Sequence, residues 1–182
     1  MVPDNAFLIG LVVVTAAAAV QDGRTGLISN RLLAWAGGLA FPVHLLAGAW
    51  SGGVAGAGAG VLSAVLGLIA CAVVPLFLYR VGGIGGGDVK LLAVVGALVG
   101  PIWGLEAEFY SFGALILYAP ARLAYDGRLL VTLANSMALI ANAVLPKDKR
   151  RSIAPELMTS LRFGPAVFVG SAVASFMHWR LQ

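Results

Sequence analysis

The sequence is poor in charge: charged residues make up 11% of its 182 positions, against about 25% in soluble domains. So few charges cannot cover the surface of a soluble domain of this length, which excludes an ordinary soluble globular protein. The formal net charge is +4, from 12 basic and 8 acidic residues. In a chain this apolar, we interpret the basic residues as membrane-topology signals rather than as a nucleic-acid-binding surface.

Cysteine and histidine are almost missing as well. The single cysteine, Cys71, lies inside an apolar run, so the chain has no intramolecular disulfide and no cysteine-based zinc site. Of the two histidines, His44 falls within a predicted membrane span and His178 near the predicted outer face. We therefore predict no metal and no cofactor.

Hydrophobic residues, by contrast, make up 60% of the chain. They form runs close to the roughly 20 residues that a membrane-spanning helix needs. A further segment, 128–145, has polar residues near helical spacing, which is typical of an amphipathic helix lying at the membrane interface. We predict an all-α fold, a single membrane domain over 1–182 with one interfacial helix at 128–145 and about six transmembrane helices. The predicted spans are 6–21, 32–50, 55–79, 91–105, 109–125 and 163–179.

The basic residues favour six spans over seven. With the N-terminus outside, six spans place every Lys and Arg except Arg180 on the cytoplasmic side, as the positive-inside rule requires. A seventh span over 129–145 would carry the basic cluster at 147–151 across the membrane. The first span is expected to remain uncleaved, because residues 1–5 lack the positive charge of a signal peptide. Both termini are then expected outside.

Two acids lie at the cytoplasmic ends of predicted spans. Asp22 follows the first span, and Asp88 precedes the fourth, after the glycine-rich stretch 82–87. Each has an ordinary interpretation: Asp22 as a helix-end acid paired with Arg24, and Asp88 as a helix N-cap. Together they suggest catalysis, because two adjacent carboxylates share one proton and can then act as general base and general acid.

The residues around these acids resemble a known family. Gly85-Gly86-Gly87-Asp88 followed by Lys90 is similar to the Gly-x-Gly-Asp-x-Lys signature of the prepilin peptidase family of membrane aspartic peptidases. Asp22, Arg24, Ile28 and Asn30 resemble its first-aspartate motif, with Ser29 where proline is usual. Phe163-Gly164-Pro165 is similar to its closing segment. The resemblance implies that Asp22 and Asp88 are catalytic, and that five residues bind substrate or support the pair: Gly85, Gly87, Lys90, Arg24 and Asn30.

The short loop after Asp22 and the lack of Cys-x-x-Cys resemble the peptidase-only branch that serves Flp/Tad-type pili. The resemblance implies a multi-pass protein of the bacterial inner membrane that cleaves a short basic leader at the cytoplasmic membrane face. Its expected partners are the membrane helix of a prepilin or pseudopilin, the lipid bilayer and the pilus-assembly machinery. Two alternatives stay open: a transporter component that uses the acids as ion or proton ligands, and an inactive assembly protein of the same fold.

Overall fold

All regular structure in the described part of the chain is helical. The computed structural model describes residues 5–125, 127, 130, 131, 134 and 162–179. It confirms the all-α prediction within those residues, which contain no strand. The helices are α1 (Asn5–Thr25), α2 (Asn30–Arg80), α3 (Gly86–Val99), α4 (Pro101–Tyr125) and α5 (Gly164–Trp179).

The long helix α2 is a hairpin of two arms. Gly52 and Gly53 have non-helical backbone angles, and the φ of +59° at Gly53 is open to glycine at little cost. The arms then pack so closely that a Cβ at Gly48 would collide with the carbonyl of Gly56, and one at Gly60 with that of His44. The reversal falls between the predicted spans 32–50 and 55–79.

The boundary between the predicted spans 91–105 and 109–125 was wrong. Helix α3 ends at Val99 and α4 begins at Pro101, because Gly100 takes a φ of +82° and proline suits the first position of a helix. Glu108, which falls between these two predicted spans, lies inside α4 and has a buried side chain.

By length and composition, two of the described helices, α1 and α2, can cross a membrane. Their length and hydropathy are compatible with a membrane protein. The six-span topology and the positions of the termini remain predictions.

Helix α3 contributes most to the described core. It packs against α2 and α1, and α1 packs against α5. Leu91, Leu92 and Val95 are fully buried. At the α2–α3 contact, a Cβ at Gly67 would collide with the carbonyl of Gly96, and one at Gly96 with that of Gly67. Glycine at both positions lets the two backbones touch near the end of α3.

The chain divides into two compact units, one of residues 1–114 with 162–182 and one of residues 115–161. All residues of the candidate site belong to the first unit. Most of the predicted interfacial helix, 128–145, lies outside the described residues, as does Arg180. The prediction of a single domain over 1–182 stays a prediction.

Candidate active site

The first acid, Asp22, lies in the last turn of α1 and is buried. Its Oδ2 accepts the backbone N–H of Gly164 at 2.8 Å. Gly164 is the first residue of α5, so the carboxylate faces a helix N-terminus, where free N–H groups and the helix dipole favour negative charge. Arg162 adds a second link between these segments by donating to the carbonyl oxygen of Gly23.

Gly164 allows this contact because it has no side chain. A Cβ there would lie 2.8 Å from the Asp22 Cβ and 3.0 Å from its Oδ2, closer than ordinary van der Waals contact. Neither Gly164 nor Arg162 was predicted as a site residue, although Phe163-Gly164-Pro165 is similar to the closing segment of the family. The motif was the available signal, and its place against Asp22 depends on the packing of α5 on α1.

The second acid, Asp88, lies in the first turn of α3 and is half-buried. It is not the N-cap, which is Gly85. Instead, Asp88 Oδ2 accepts the backbone N–H of Gly85 at 3.1 Å, as the third residue of a helix does in a capping box. This hydrogen bond holds the carboxylate at the start of the helix.

The fold raises the pKa of Asp88. Burial raises it most, the hydrogen bond from Gly85 lowers it, and the charge of Asp22 raises it again, to about 6 from 3.8. Asp22 is therefore close enough for its charge to act on Asp88, although the two acids come from distant parts of the sequence. One carboxylate with a raised pKa beside a second is a recurring arrangement at active sites.

Only part of the glycine-rich stretch 82–87 is a loop, because its last two residues are helical. Gly86 and Gly87 already belong to α3, and within 82–87 only Gly82 has a positive φ, of +79°. Gly87 faces the loop between α1 and α2, since a Cβ there would lie 3.5 Å from the Ile28 Cβ. The two aspartate motifs therefore lie side by side.

The five predicted supporting residues lie in three different environments. Asn30 and Lys90 meet, with Lys90 Nζ donating to Asn30 Oδ1 at 2.8 Å, and this contact links the start of α2 to the start of α3. Gly85 and Gly87 lie at the Asp88 turn as described. Arg24 is exposed and, among the described residues, forms no ion pair with either aspartate.

Ser29 occupies the position at which the resemblance expects proline. Its φ of −64° is the value that proline requires, so the loop follows a path open to either residue. The difference is a backbone N–H, which Ser29 donates to the Gln21 side-chain oxygen at 3.0 Å. Gln21 was not singled out from the sequence, because nothing in its spacing points to a partner eight positions away.

The arrangement suits acid–base catalysis on a water molecule. A charged carboxylate can take a proton from water, while a protonated one beside it can donate to a substrate carbonyl. Among the described residues, no group of three or more His, Cys, Asp or Glu side chains is placed to hold a metal ion.

Comparison with known protein families gives a match. The model of the type IV leader peptidase family matches residues 9–143, which include both aspartate motifs. No curated protein and no solved structure matches the chain. The match covers well over half of the sequence, so the chain belongs to the type IV leader peptidase family, and this membership implies a protease.

Proposed function

We propose that the protein is an aspartic endopeptidase that removes the leader peptide of type IV prepilin-like substrates, with Asp22 and Asp88 as its catalytic pair. The observation that carries the proposal is the contact between the two aspartate motifs, in which Lys90 donates to Asn30 at 2.8 Å and Gly87 packs on Ile28. These contacts bring together two acids that are distant in sequence, and the raised pKa of Asp88 agrees with them. Family membership supplies the reaction class.

The surroundings of the two acids support different roles. Asp22 faces the N-terminus of α5 through the Gly164 N–H, an environment that favours a negative charge. Asp88 has a pKa raised to about 6, so it takes up a proton more readily than an ordinary aspartate. In the proposed mechanism Asp22 is the general base that takes a proton from water. Asp88 is the general acid that hydrogen-bonds the scissile carbonyl and then supplies a proton to the departing amine.

The substrate proposed from the resemblance is an Flp/Tad-type prepilin, cut after a glycine at the cytoplasmic face of its hydrophobic helix. A basic leader is electrostatically compatible with a site whose central groups are two acids. The lipid bilayer would align the substrate helix with the bundle, so that cleavage occurs where the leader leaves the membrane.

The test is co-expression with a candidate prepilin, followed by a size-shift assay of the pilin. Asp22→Asn and Asp88→Asn keep the size of each side chain and remove its titratable proton. Each should reduce cleavage by at least about 1,000-fold, and the double variant should be no worse than either single one, because groups that act as a unit are not additive.

Asp126→Asn and Asp148→Asn are the matched controls, since both acids lie outside the two motifs, and they should keep activity. Near-parental cleavage by Asp22→Asn would disprove the catalytic pair. No cleavage of any prepilin by the parent, with the protein folded and inserted, would favour the inactive assembly protein.

A further inference from the structure

A series of polar contacts runs from one aspartate motif to the other and includes a residue that the catalytic proposal does not use. Gln21, which directly precedes Asp22, is half-buried. Its side-chain oxygen accepts the backbone N–H of Ser29 at 3.0 Å. Asn30 follows and accepts from Lys90, two residues after Asp88, at 2.8 Å.

The Gln21 contact spans the whole loop between α1 and α2. The loop comprises the four residues 26–29, and Ser29 is the N-cap of α2 without a capping hydrogen bond from its own hydroxyl. The Gln21 amide thus holds the N-cap backbone to the last turn of α1. Ile28, in the same loop, faces Gly87, so a shift of the loop would move the start of α3 relative to the end of α1.

We propose that Gln21 is a positioning residue, which holds the α1–α2 loop through the Ser29 N–H and thereby sets the separation of the Asp22 and Asp88 carboxylates. This inference rests on the proposed function for its effect on cleavage. Its geometric part concerns only the two carboxylates and can be measured without a substrate.

The chain offers a matched set of variants for the test. Gln21→Met keeps the length of the side chain and removes the acceptor. Ser29→Ala removes the hydroxyl and keeps the N–H, whereas Ser29→Pro removes the N–H at a position whose φ of −64° proline can adopt. Ile28 is non-helical, as a residue before proline should be. The substitution at Gln21 is made in three backgrounds: the parent, the Ser29→Ala variant and the Ser29→Pro variant.

Cleavage is the first measurement. Gln21→Met should lower kcat on the order of tenfold in the parent and in the Ser29→Ala variant, because catalysis is sensitive to sub-ångström placement of the reacting groups. In the Ser29→Pro variant the same substitution should have almost no effect, because the hydrogen bond is already absent. Gln21→Glu keeps an acceptor of the same length and should retain more activity than Gln21→Met.

The second measurement is an infrared titration of the Asp88 carboxyl in the purified protein, with Asp88→Asn to assign the band and Asp22→Asn to show the effect of removing the neighbouring charge. A wider separation of the two carboxylates weakens the effect of the Asp22 charge on the Asp88 pKa. Gln21→Met should therefore move the titration midpoint to lower pH in the parent and in the Ser29→Ala variant, and leave it unmoved in the Ser29→Pro variant. A mere loss of folded protein would reduce the band without moving its midpoint.

Equal effects of Gln21→Met in the parent and in the Ser29→Pro variant would overturn the proposal. If Ser29→Pro does not fold, the comparison of Gln21→Met with Gln21→Glu is the test. The proposal is then overturned if both variants lose the same amount of cleavage and Gln21→Met leaves the titration midpoint of Asp88 unmoved. A parent that cleaves no prepilin but shows the expected midpoint shifts would refute the proposed function and leave the positioning role standing.

Discussion

At the scale of single residues, the two aspartates are distinguished by what each carboxylate touches. Asp22 is buried and accepts a hydrogen bond from the first residue of α5. Asp88 is half-buried in the first turn of α3 and accepts one from Gly85. Burial and the charge of Asp22 outweigh that hydrogen bond and raise the Asp88 pKa to about 6. The fold therefore makes the Asp88 carboxyl easier to protonate than that of an ordinary aspartate.

The raised pKa predicts how Asp88→Asn changes stability with pH. The folded pKa of about 6 lies above the ordinary value of 3.8, so the contribution of Asp88 to stability is fully present below about pH 4 and is lost as pH rises through 6. Asparagine keeps an acceptor for the Gly85 N–H and has no charge to bury. The variant should therefore gain stability over the parent as pH rises from 4 to 8.

Thermal denaturation of both proteins in the same detergent, between pH 4 and 8, measures this effect. The low-pH difference in Tm is the internal reference, because both side chains are neutral there. A difference in Tm that stays constant over the whole range would show that the fold does not disfavour the Asp88 charge.

At the scale of the helices, the site is built from the ends of four of them. The end of α1 supplies Asp22, the start of α2 supplies Asn30, the start of α3 supplies Asp88, and the start of α5 supplies the Gly164 N–H. Two helix N-termini therefore contact the carboxylates, that of α5 at Asp22 and that of α3 at Asp88. Each brings free backbone N–H groups and a partial positive charge, which helps to keep two acids close together.

The α5 contact predicts a strong effect of a single methyl group. Gly164→Ala would place a Cβ 2.8 Å from the Asp22 Cβ, so either Asp22 or the start of α5 must move. We expect a loss of about 1–3 kcal/mol in the free energy of unfolding, as for other overpacked positions. Cleavage should fall at least about tenfold, because the Asp22 oxygen that we propose as the general base is displaced.

Gly113→Ala is the matched control, since a Cβ at Gly113 meets nothing within 4 Å. It should leave cleavage unchanged and stability unchanged or slightly higher, as alanine favours a helix. Denaturation and the size-shift assay are run on both variants. Equal behaviour of the two would show that the close contact between α5 and Asp22 does not matter.

At the scale of the whole molecule, the six-span prediction places the α1–α2 loop in the cytoplasm and the turn of the α2 hairpin outside. Leu27 and Val54 are exposed residues at these places. They are better positions for cysteine than the neighbouring Gly26 and Gly53, which have a positive φ. In a Cys71→Ala background, Leu27→Cys should react only with membrane-permeant thiol reagents in intact cells, and Val54→Cys also with impermeant ones. Labelling of Leu27→Cys by an impermeant reagent would reverse the predicted orientation.

The short connection between α1 and α2 leads to a second prediction for the whole molecule. Four residues, 26–29, join these helices, and the chain contains one cysteine, so it has no cysteine-rich insertion there. The resemblance to the peptidase-only branch implies cleavage without N-methylation of the pilin, because the longer family members that also methylate have a cysteine-rich insertion in this loop. Mass spectrometry of a pilin processed by this enzyme alone should show a free N-terminal amine, and a gain of about 14 Da on that amine would contradict the prediction.

The sequence by itself determined the fold class and the candidate acids. Low charge and long apolar runs require helices in an apolar environment, because a helix satisfies its backbone hydrogen bonds within one segment. Asp22 and Asp88 stood out because ionisable groups at the ends of such runs are few, and the glycines and Lys90 around Asp88 carried the family resemblance. These are local properties, which a sequence displays directly.

Only the tertiary structure decided where the helices break and what surrounds the acids. The α3–α4 break at Gly100 was missed because hydropathy continues across it, whereas a positive φ interrupts the helix. The contacts of Gly164 with Asp22 and of Gln21 with Ser29 involve backbone N–H groups, which every residue except proline has, so no side-chain pattern marks them. Such contacts arise when packing brings distant helix ends together, and in this protein they set the surroundings of both carboxylates.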